Sequence, residues 1–286
     1  MKKLSQQFII FLHIQKTGGI TLQRLLRQKF GPSLMTRTAK VLMGKGQALP
    51  LEESLKSKQI QDRYFAGHIC FGVHRLLPQP FTYITLLREP VSRIISLYDF
   101  SRSNPMAFYH KIAVDRTLEE FALSTDLPEL DNGQVRFLAG DSHDLFINQT
   151  PVNSCEESLL DIAKLNMKNH FSVVGLTEYF DQSMLLMSKV MNWGNCYYLR
   201  LNSSSEKTEV SEKIKAKIAE RNYLDVLLYK YTKENFLTML QSYHLDDGKE
   251  LQAFQDWNYR LNQYLEKPYF IYHRSKSLLR GKAYRP

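Results

Sequence analysis

Gln15-Lys16-Thr17-Gly18-Gly19-Ile20-Thr21 gathers a cation, two hydroxyls and a glycine pair in one short segment. It follows a continuous apolar run, Phe8–Ile14, and precedes Leu22, Leu25 and Leu26 at helical spacing. The run reads as a fully buried strand and the spacing as a helix over Thr21–Phe30. Where a helix begins, backbone N–H groups point outward unpaired and the helix dipole adds partial positive charge. Glycines let that backbone curl tightly around an oxyanion. Lys16 adds a full charge, and Thr17 and Thr21 add hydroxyl donors. The segment reads as a cradle for phosphate or sulfate. It is not a Walker A loop, because the lysine precedes the glycines. An ordinary strand-to-helix turn with two glycines is the competing interpretation.

A second unit of the same kind lies at Tyr83–Phe100, YITLLREPVSRIISLYDF. Thr82–Leu87 reads as a strand. Pro90 opens a helix at a position where a missing N–H costs nothing, and the helix runs to about Phe100. Arg88 falls at the carboxyl end of the strand, where open α/β sheets bind ligands. A guanidinium there can grip a phosphate through two N–H groups. Ser92, Arg93 and Ser96 give the helix a polar stripe, with Ser96 placed to share a phosphate with Arg88.

His68 is the candidate general base. It follows a short strand at Tyr64–Ala66, and Gly67 leaves it room. A structural strand-end histidine is the alternative. His74 is the reserve base on the acceptor side, and His13 packs against the first strand.

The segment FLHIQKTGGITL resembles the 5′-phosphosulfate loop of the heparan sulfate 6-O- and 2-O-sulfotransferase group, the membrane-bound carbohydrate sulfotransferases. The resemblance is specific over Phe8–Thr21 and Tyr83–Phe100, looser as far as Lys207, and absent beyond it. It implies a P-loop-like α/β sandwich with a central parallel sheet flanked by helices. It also implies that the donor is 3′-phosphoadenylyl sulfate (PAPS), leaving 3′-phosphoadenosine 5′-phosphate (PAP) as product. Lys16, Thr17, Gly18, Gly19, Ile20 and Thr21 are then the residues around the 5′ end of the donor, and Arg88 and Ser96 hold its 3′-phosphate. Two phosphate anchors suit a 3′,5′-bisphosphate. The family's 2-O-sulfotransferases carry a similar Gly-His pair whose histidine is the base, which points to His68. Asp131–Gly140 resembles a segment near the acceptor, so Arg136 is expected to hold an anionic sugar or a donor phosphate, against a solvated helix face as the alternative. Ser204 and Lys207 match a late loop that folds over the donor.

The elements that must position these residues follow from the pattern of the chain. Short helices are expected at Leu118–Leu123, Leu130–Leu138 and Ser158–Leu165, and a strand at Phe171–Val174. Thr177 reads as the N-cap of a helix from Glu178 to about Met191. Tyr197–Leu199 reads as a last short strand, Val210–Leu240 as two helices, and Glu250–Tyr264 as the final helix. Strands alternating with helices imply a parallel sheet.

The chain has 286 residues, 43% of them hydrophobic, enough for a single sulfotransferase domain over 1–286 with one sizeable core. A basic tail over 274–286 is expected to be solvated. The formal net charge of +9 favours anionic partners without choosing among them. Three cysteines, Cys70, Cys155 and Cys196, lie far apart with no metal-ligand spacing. No metal is expected, and a reducing, cytoplasmic setting fits. No stretch approaches the ~20 apolar residues that span a bilayer. The expected acceptor is a hydroxyl on a saccharide or glycoconjugate; nucleic acid is not an expected partner. A P-loop-type nucleotide phosphotransferase would need a Walker lysine and an Mg²⁺-binding Asp after a strand, and neither is evident. A noncatalytic binder of sulfated polysaccharide would tolerate loss of Lys16 and His68, and both are present.

Overall fold

The apolar runs form the strands of a parallel sheet: β1 (Phe8–Leu12), β2 (Tyr64–Gly67), β3 (Phe81–Leu87) and β4 (Phe171–Leu176). The structure is a computed structural model that describes residues 7–31, 63–76, 80–140, 150–199, 208–246 and 248–279, with side chains to 264. The strand order is β2-β1-β3-β4 and every neighbouring pair is parallel. The register sets Leu12 beside Gly67, Phe11 beside Ile84 and Leu87 beside Leu176. Ile10, Phe11, Leu12, Ile84, Leu86 and Leu87 have no exposed surface. Strands covered on both faces explain why β1 and β3 are unbroken apolar runs rather than alternating ones.

Helices flank the sheet: α1 (Gly19–Phe30), α2 (Pro90–Ser103), α3 (His110–Asp115), α4 (Leu118–Ala122), α5 (Gly133–Ala139), α6 (Glu157–His170), α7 (Phe180–Val190), α8 (Glu212–Arg221), α9 (Tyr223–Ser242) and α10 (Lys249–Leu279). The expected α/β class is the observed one. The chain leaves β1 towards β2 on one side, then returns past β1 to place β3 on the other. The carboxyl ends of β1 and β3 therefore flank a topological switch point, where the first loops of neighbouring units diverge and leave a crevice. Both candidate phosphate segments begin there.

A reciprocal cap fixes α5 against α9. Asn132 precedes α5 in the left-handed region, φ 54°, and its Oδ1 accepts from the N–H groups of Leu224 and Asp225 at 2.9 and 3.2 Å. Asp225 returns the contact: its carboxylate accepts from the N–H groups of Gln134 and Val135 at 3.1 and 2.8 Å. Each helix start thus has its orphan donors satisfied by a residue from the other. Burial, the largest influence, pushes the Asp225 carboxyl up, opposed by Arg93 and by these backbone donors.

Three expected local features differ. Thr177 does not cap a helix: a 3₁₀ turn, Thr177–Tyr179, precedes α7, and the Thr177 hydroxyl faces the Thr17 carbonyl of the first loop and the Leu87 carbonyl at the end of β3 instead. Tyr197–Leu199 is not a strand. The Tyr198 backbone is held by side-chain amides of α10, with its N–H donating to Asn258 Oδ1 at 3.0 Å and its carbonyl accepting from Asn262 Nδ2 at 3.1 Å. Arg93 is not part of a polar stripe. It is fully buried, donates to the Glu129 carbonyl at 2.8 Å and faces the Glu129 carboxylate at 3.6 Å. The final helix also runs on to Leu279, into the basic tail.

Asn132→Ala is expected to lower stability by about 2 kcal/mol, because it strands two buried N–H groups and replaces asparagine, which tolerates a left-handed backbone, by a residue that rarely adopts it. Asn132→Gly is expected to lose less, since glycine tolerates that backbone. Urea denaturation midpoints of the two variants check the order.

Candidate functional site

The first loop is shaped by where its carbonyl groups go. Lys16 adopts φ 64° and Gly18 φ 82°. The left-handed turn that the glycine pair was expected to supply is shared with the lysine, a backbone rare for a residue with a β-carbon. The Ile14 carbonyl accepts from the Thr17 hydroxyl at 2.9 Å. The Lys16 carbonyl accepts from Arg88 Nη1 at 3.1 Å, and the Thr17 carbonyl from the Thr177 hydroxyl at 2.8 Å. All three oxygens are thereby drawn into protein. Among the described residues, the N–H groups of Lys16, Thr17 and Gly18 have no protein acceptor. They remain for a ligand.

Gly19 is required by packing. A β-carbon there would lie 2.0 Å from the His13 ring. Thr21 is half-buried and Ile20 has its side chain at the surface, so Ile20 offers only main chain. Thr17 corrects one expectation: its hydroxyl is fully buried and committed to Ile14, so its contribution to an anion is the N–H alone.

Lys16 is half-buried, with Nζ 4.1 Å from the centroid of the Phe100 ring. Burial, then the Arg88 charge, lowers its pKa from 10.5 to about 8, while Asp99 pulls the other way. Ser96 lies one helical turn before Phe100 on α2, which places it on the same face and towards Arg88. It is half-buried.

Arg88 stands at the end of β3. Its guanidinium makes the single contact to Lys16, leaving its other N–H groups without acceptors among the described residues. Burial lowers its pKa; Glu178 and Glu89 oppose that. Its peptide is gripped on both sides by one side chain: Gln134 Oε1 accepts from the Arg88 N–H and Gln134 Nε2 donates to the Arg88 carbonyl, each at 2.9 Å. Glu89 caps α2 by accepting from Val91 and Ser92, and its own N–H donates to Glu178 at 3.0 Å.

His68 follows β2, exposed, beside the first loop. Its Nδ1 lies 2.7 Å from the His13 carbonyl. A carbonyl only accepts, so Nδ1 carries the hydrogen and Nε2 is left free to take a proton. The His13 and His68 rings are in contact, with centroids 4.3 Å apart. Burial first, then His68 and Lys16, hold His13 well below the ordinary histidine range. His13 also stacks on Phe11 at 5.1 Å, as its expected packing on the first strand requires.

Two candidates lie elsewhere. His74 bonds the Tyr83 hydroxyl at 2.9 Å and stacks on Phe81, both at the amino end of β3. From Phe81 to Arg88 the strand spans about 23 Å at 3.3 Å per residue, so His74 cannot serve as base or acceptor contact at the opposite end. Burial, His170 and Arg75 lower its pKa to about 4. Arg136 is buried completely. It pairs with Asp131 at 2.7 Å and donates to the Asp131, Thr150 and Pro151 carbonyls. It clasps the chain after residue 149 to α5, and is neither a surface ligand nor a solvated charge. Ser204 and Lys207 lie outside the described residues.

The galactose-3-O-sulfotransferase family model matches residues 3–245. The chain belongs to that family. It is 27% identical over 299 residues to heparan-sulfate 6-O-sulfotransferase 2 of Mus musculus, covering 85% of this chain and 47% of that protein. It is also 27% identical over 293 residues to heparan-sulfate 6-O-sulfotransferase 3 of Homo sapiens, covering 87% of this chain and 60% of that protein. The chain thus spans about half to two thirds of the length of the curated relatives it matches. Among solved structures, mouse sulfotransferase SULT7A1 complexed with PAP shares 13% identity with a TM-score of 0.30, over 77% of this chain and 68% of that one.

The residues brought together are therefore Lys16, the N–H groups of Lys16, Thr17 and Gly18, Arg88 and His68, with Ser96 on α2 one turn before the Phe100 ring that Lys16 meets. Sequence reasoning missed Gln134, Thr177 and Glu178 as their supports, because these partners lie 46 to 160 positions away from what they hold. An amine-acylating reagent applied across a pH series is expected to modify Lys16 with a midpoint near 8, against 10.5 for an ordinary lysine, because the free amine appears as pH rises through that value. Peptide mass spectrometry reads the midpoint; a midpoint near 10.5 contradicts the burial described.

Proposed function

We propose that this chain is a PAPS-dependent sulfotransferase that places a sulfuryl group on a carbohydrate hydroxyl. The observation that carries the reading is the Arg88–Lys16 bond at the switch point. It joins two cationic segments, from adjacent strand ends, into one anion site with two centres. A 3′,5′-bisphosphate presents its phosphates in that way. The open N–H groups after Lys16 fit the 5′ end, and the free N–H groups of Arg88, with Ser96, fit the 3′-phosphate. The donor supplies the sulfuryl group when bound. Family membership and the heparan-sulfate relatives support a carbohydrate acceptor.

His68 Nε2 takes the proton of the acceptor hydroxyl, while the His13 carbonyl holds the ring in the tautomer that leaves this nitrogen free. Lys16 neutralises charge on the departing phosphate oxygen, where a fixed cation is worth most as the bond to sulfur breaks. The half-buried setting that lowers its pKa also strengthens its pull on an anion, since less water screens it. Positioning and charge neutralisation carry most of such a transfer.

Arg88→Ala is expected to weaken PAP binding by ~1.5–3 kcal/mol, the range for a hydrogen bond to a charged group, beyond whatever loss adenosine 5′-monophosphate shows when the Lys16 carbonyl loses its donor. Calorimetry with both nucleotides decides it; equal losses would remove Arg88 from the 3′-phosphate.

His68→Ala is expected to keep PAP affinity and lose about 10²–10⁴-fold in kcat for sulfate transfer to a glycan panel. His74→Ala is expected to keep near-normal turnover. Loss of PAP binding along with activity would make His68 structural, and normal turnover would assign the base elsewhere.

A further inference from the structure

We propose that Gln134 is a positioning residue for Arg88, and through it sets the preference of the site for a 3′-phosphorylated nucleotide. The inference rests on the donor-site reading above. β3 ends its ladder with β4 at Leu87 and Leu176, so the Arg88 peptide lies just beyond the sheet. Its N–H and C=O have no strand to pair with. The carboxamide of Gln134 supplies both missing partners, accepting from the N–H and donating to the C=O at 2.9 Å each. It forms one rung of a ladder built from a side chain. Two opposed bonds on one residue fix its backbone, and with it the direction in which the Arg88 side chain leaves.

Gln134 is suited to the task because it cannot move. It has no exposed surface. Its own N–H donates to Asp225 at 3.1 Å, and that carboxylate also holds the next N–H of α5. The position of Arg88 is thus referred to the α5–α9 joint rather than to a loop. The Arg88 guanidinium makes one hydrogen bond among the described residues, to the Lys16 carbonyl. Its aim is therefore set at the backbone, where Gln134 acts. Asparagine is one methylene shorter and cannot span both groups, and methionine has the length but no donor and only a weak acceptor.

A framework role alone would weaken the fold, and every ligand with it. A positioning role acts chiefly on the 3′-phosphate, and on the 5′ end only through the Arg88 bond to the Lys16 carbonyl. The test is calorimetry with PAP and with adenosine 5′-monophosphate on wild type, Arg88→Ala, Gln134→Met, Gln134→Asn and the Arg88→Ala/Gln134→Met double variant, with melting temperatures recorded. Gln134→Met is expected to lose PAP affinity by about ten-fold more than adenosine 5′-monophosphate affinity, the lower end for losing a hydrogen bond to a charged group. The double variant is expected to bind PAP no more weakly than Arg88→Ala, because the two residues act as one unit. Gln134→Asn carries the same comparison if the methionine variant does not fold. Retention of the wild-type preference, equal loss of both nucleotides, or failure of both variants to fold overturns the inference alone. A wild-type protein without the preference, or an Arg88→Ala variant that keeps it, overturns the donor-site reading and the inference with it.

Discussion

A loop can hold an anion only if its carbonyl oxygens face away from it, and the cleft of this protein depends on how that is arranged. The oxygens of Ile14, Lys16 and Thr17 each accept a hydrogen bond from a side chain: Thr17, Arg88 and Thr177. One donor belongs to the loop itself, one to the end of β3 and one to the turn after β4. The peptide units that turn their oxygens inward turn their N–H groups outward, which is how a concavity for an anion forms. Three separate strands thus contribute to the polarity of one loop. The left-handed Lys16 is the cost of that turn, and the Arg88 bond to its carbonyl holds it there.

The same logic extends outward. Arg88 holds Lys16, Gln134 holds the Arg88 peptide, and Asp225 holds the start of the helix that carries Gln134. Asn132 closes the circuit by capping the helix that carries Asp225. Each link is a hydrogen bond to a backbone group that secondary structure leaves unpaired. Such groups must find partners when buried. The chain uses that requirement to connect a cleft at the sheet edge to a rigid joint between two helices.

The strands and the two cationic segments were legible in the sequence because their signals are contiguous. A continuous apolar run, a glycine pair and a proline at a helix start each lie within a few residues of what they specify. The register then brought His68 to the first loop without further information, since Leu12 pairs with Gly67. What was not legible depends on burial. Arg93 and Arg136 carry the same charge as Arg88, and nothing adjacent in sequence shows that they point inward. Thr177 sits where a cap is common, yet its hydroxyl meets the loop after β1 and the end of β3. His74 lies close to His68 in sequence, but its neighbours are at the other end of β3, a separation only the strand direction reveals.

The buried charges also separate structural cations from those that act. Arg93 faces Glu129 at 3.6 Å and Arg136 meets Asp131 at 2.7 Å, and both pairs are nearly free of solvent. A charge sealed inside a protein needs such a partner, since burial without one is prohibitive. Lys16 and Arg88 are held differently. Both are half-buried, both have pKa values lowered by that burial, and neither forms an ion pair among the described residues. The Arg88 charge disfavours the charged form of Lys16, and anionic groups bound at the two cations offset that. The fold tolerates that arrangement because the surrounding backbone is fixed from outside the cleft. The electrostatic need that remains is then met by the ligand, which is why these two cations and not the buried pair describe the site.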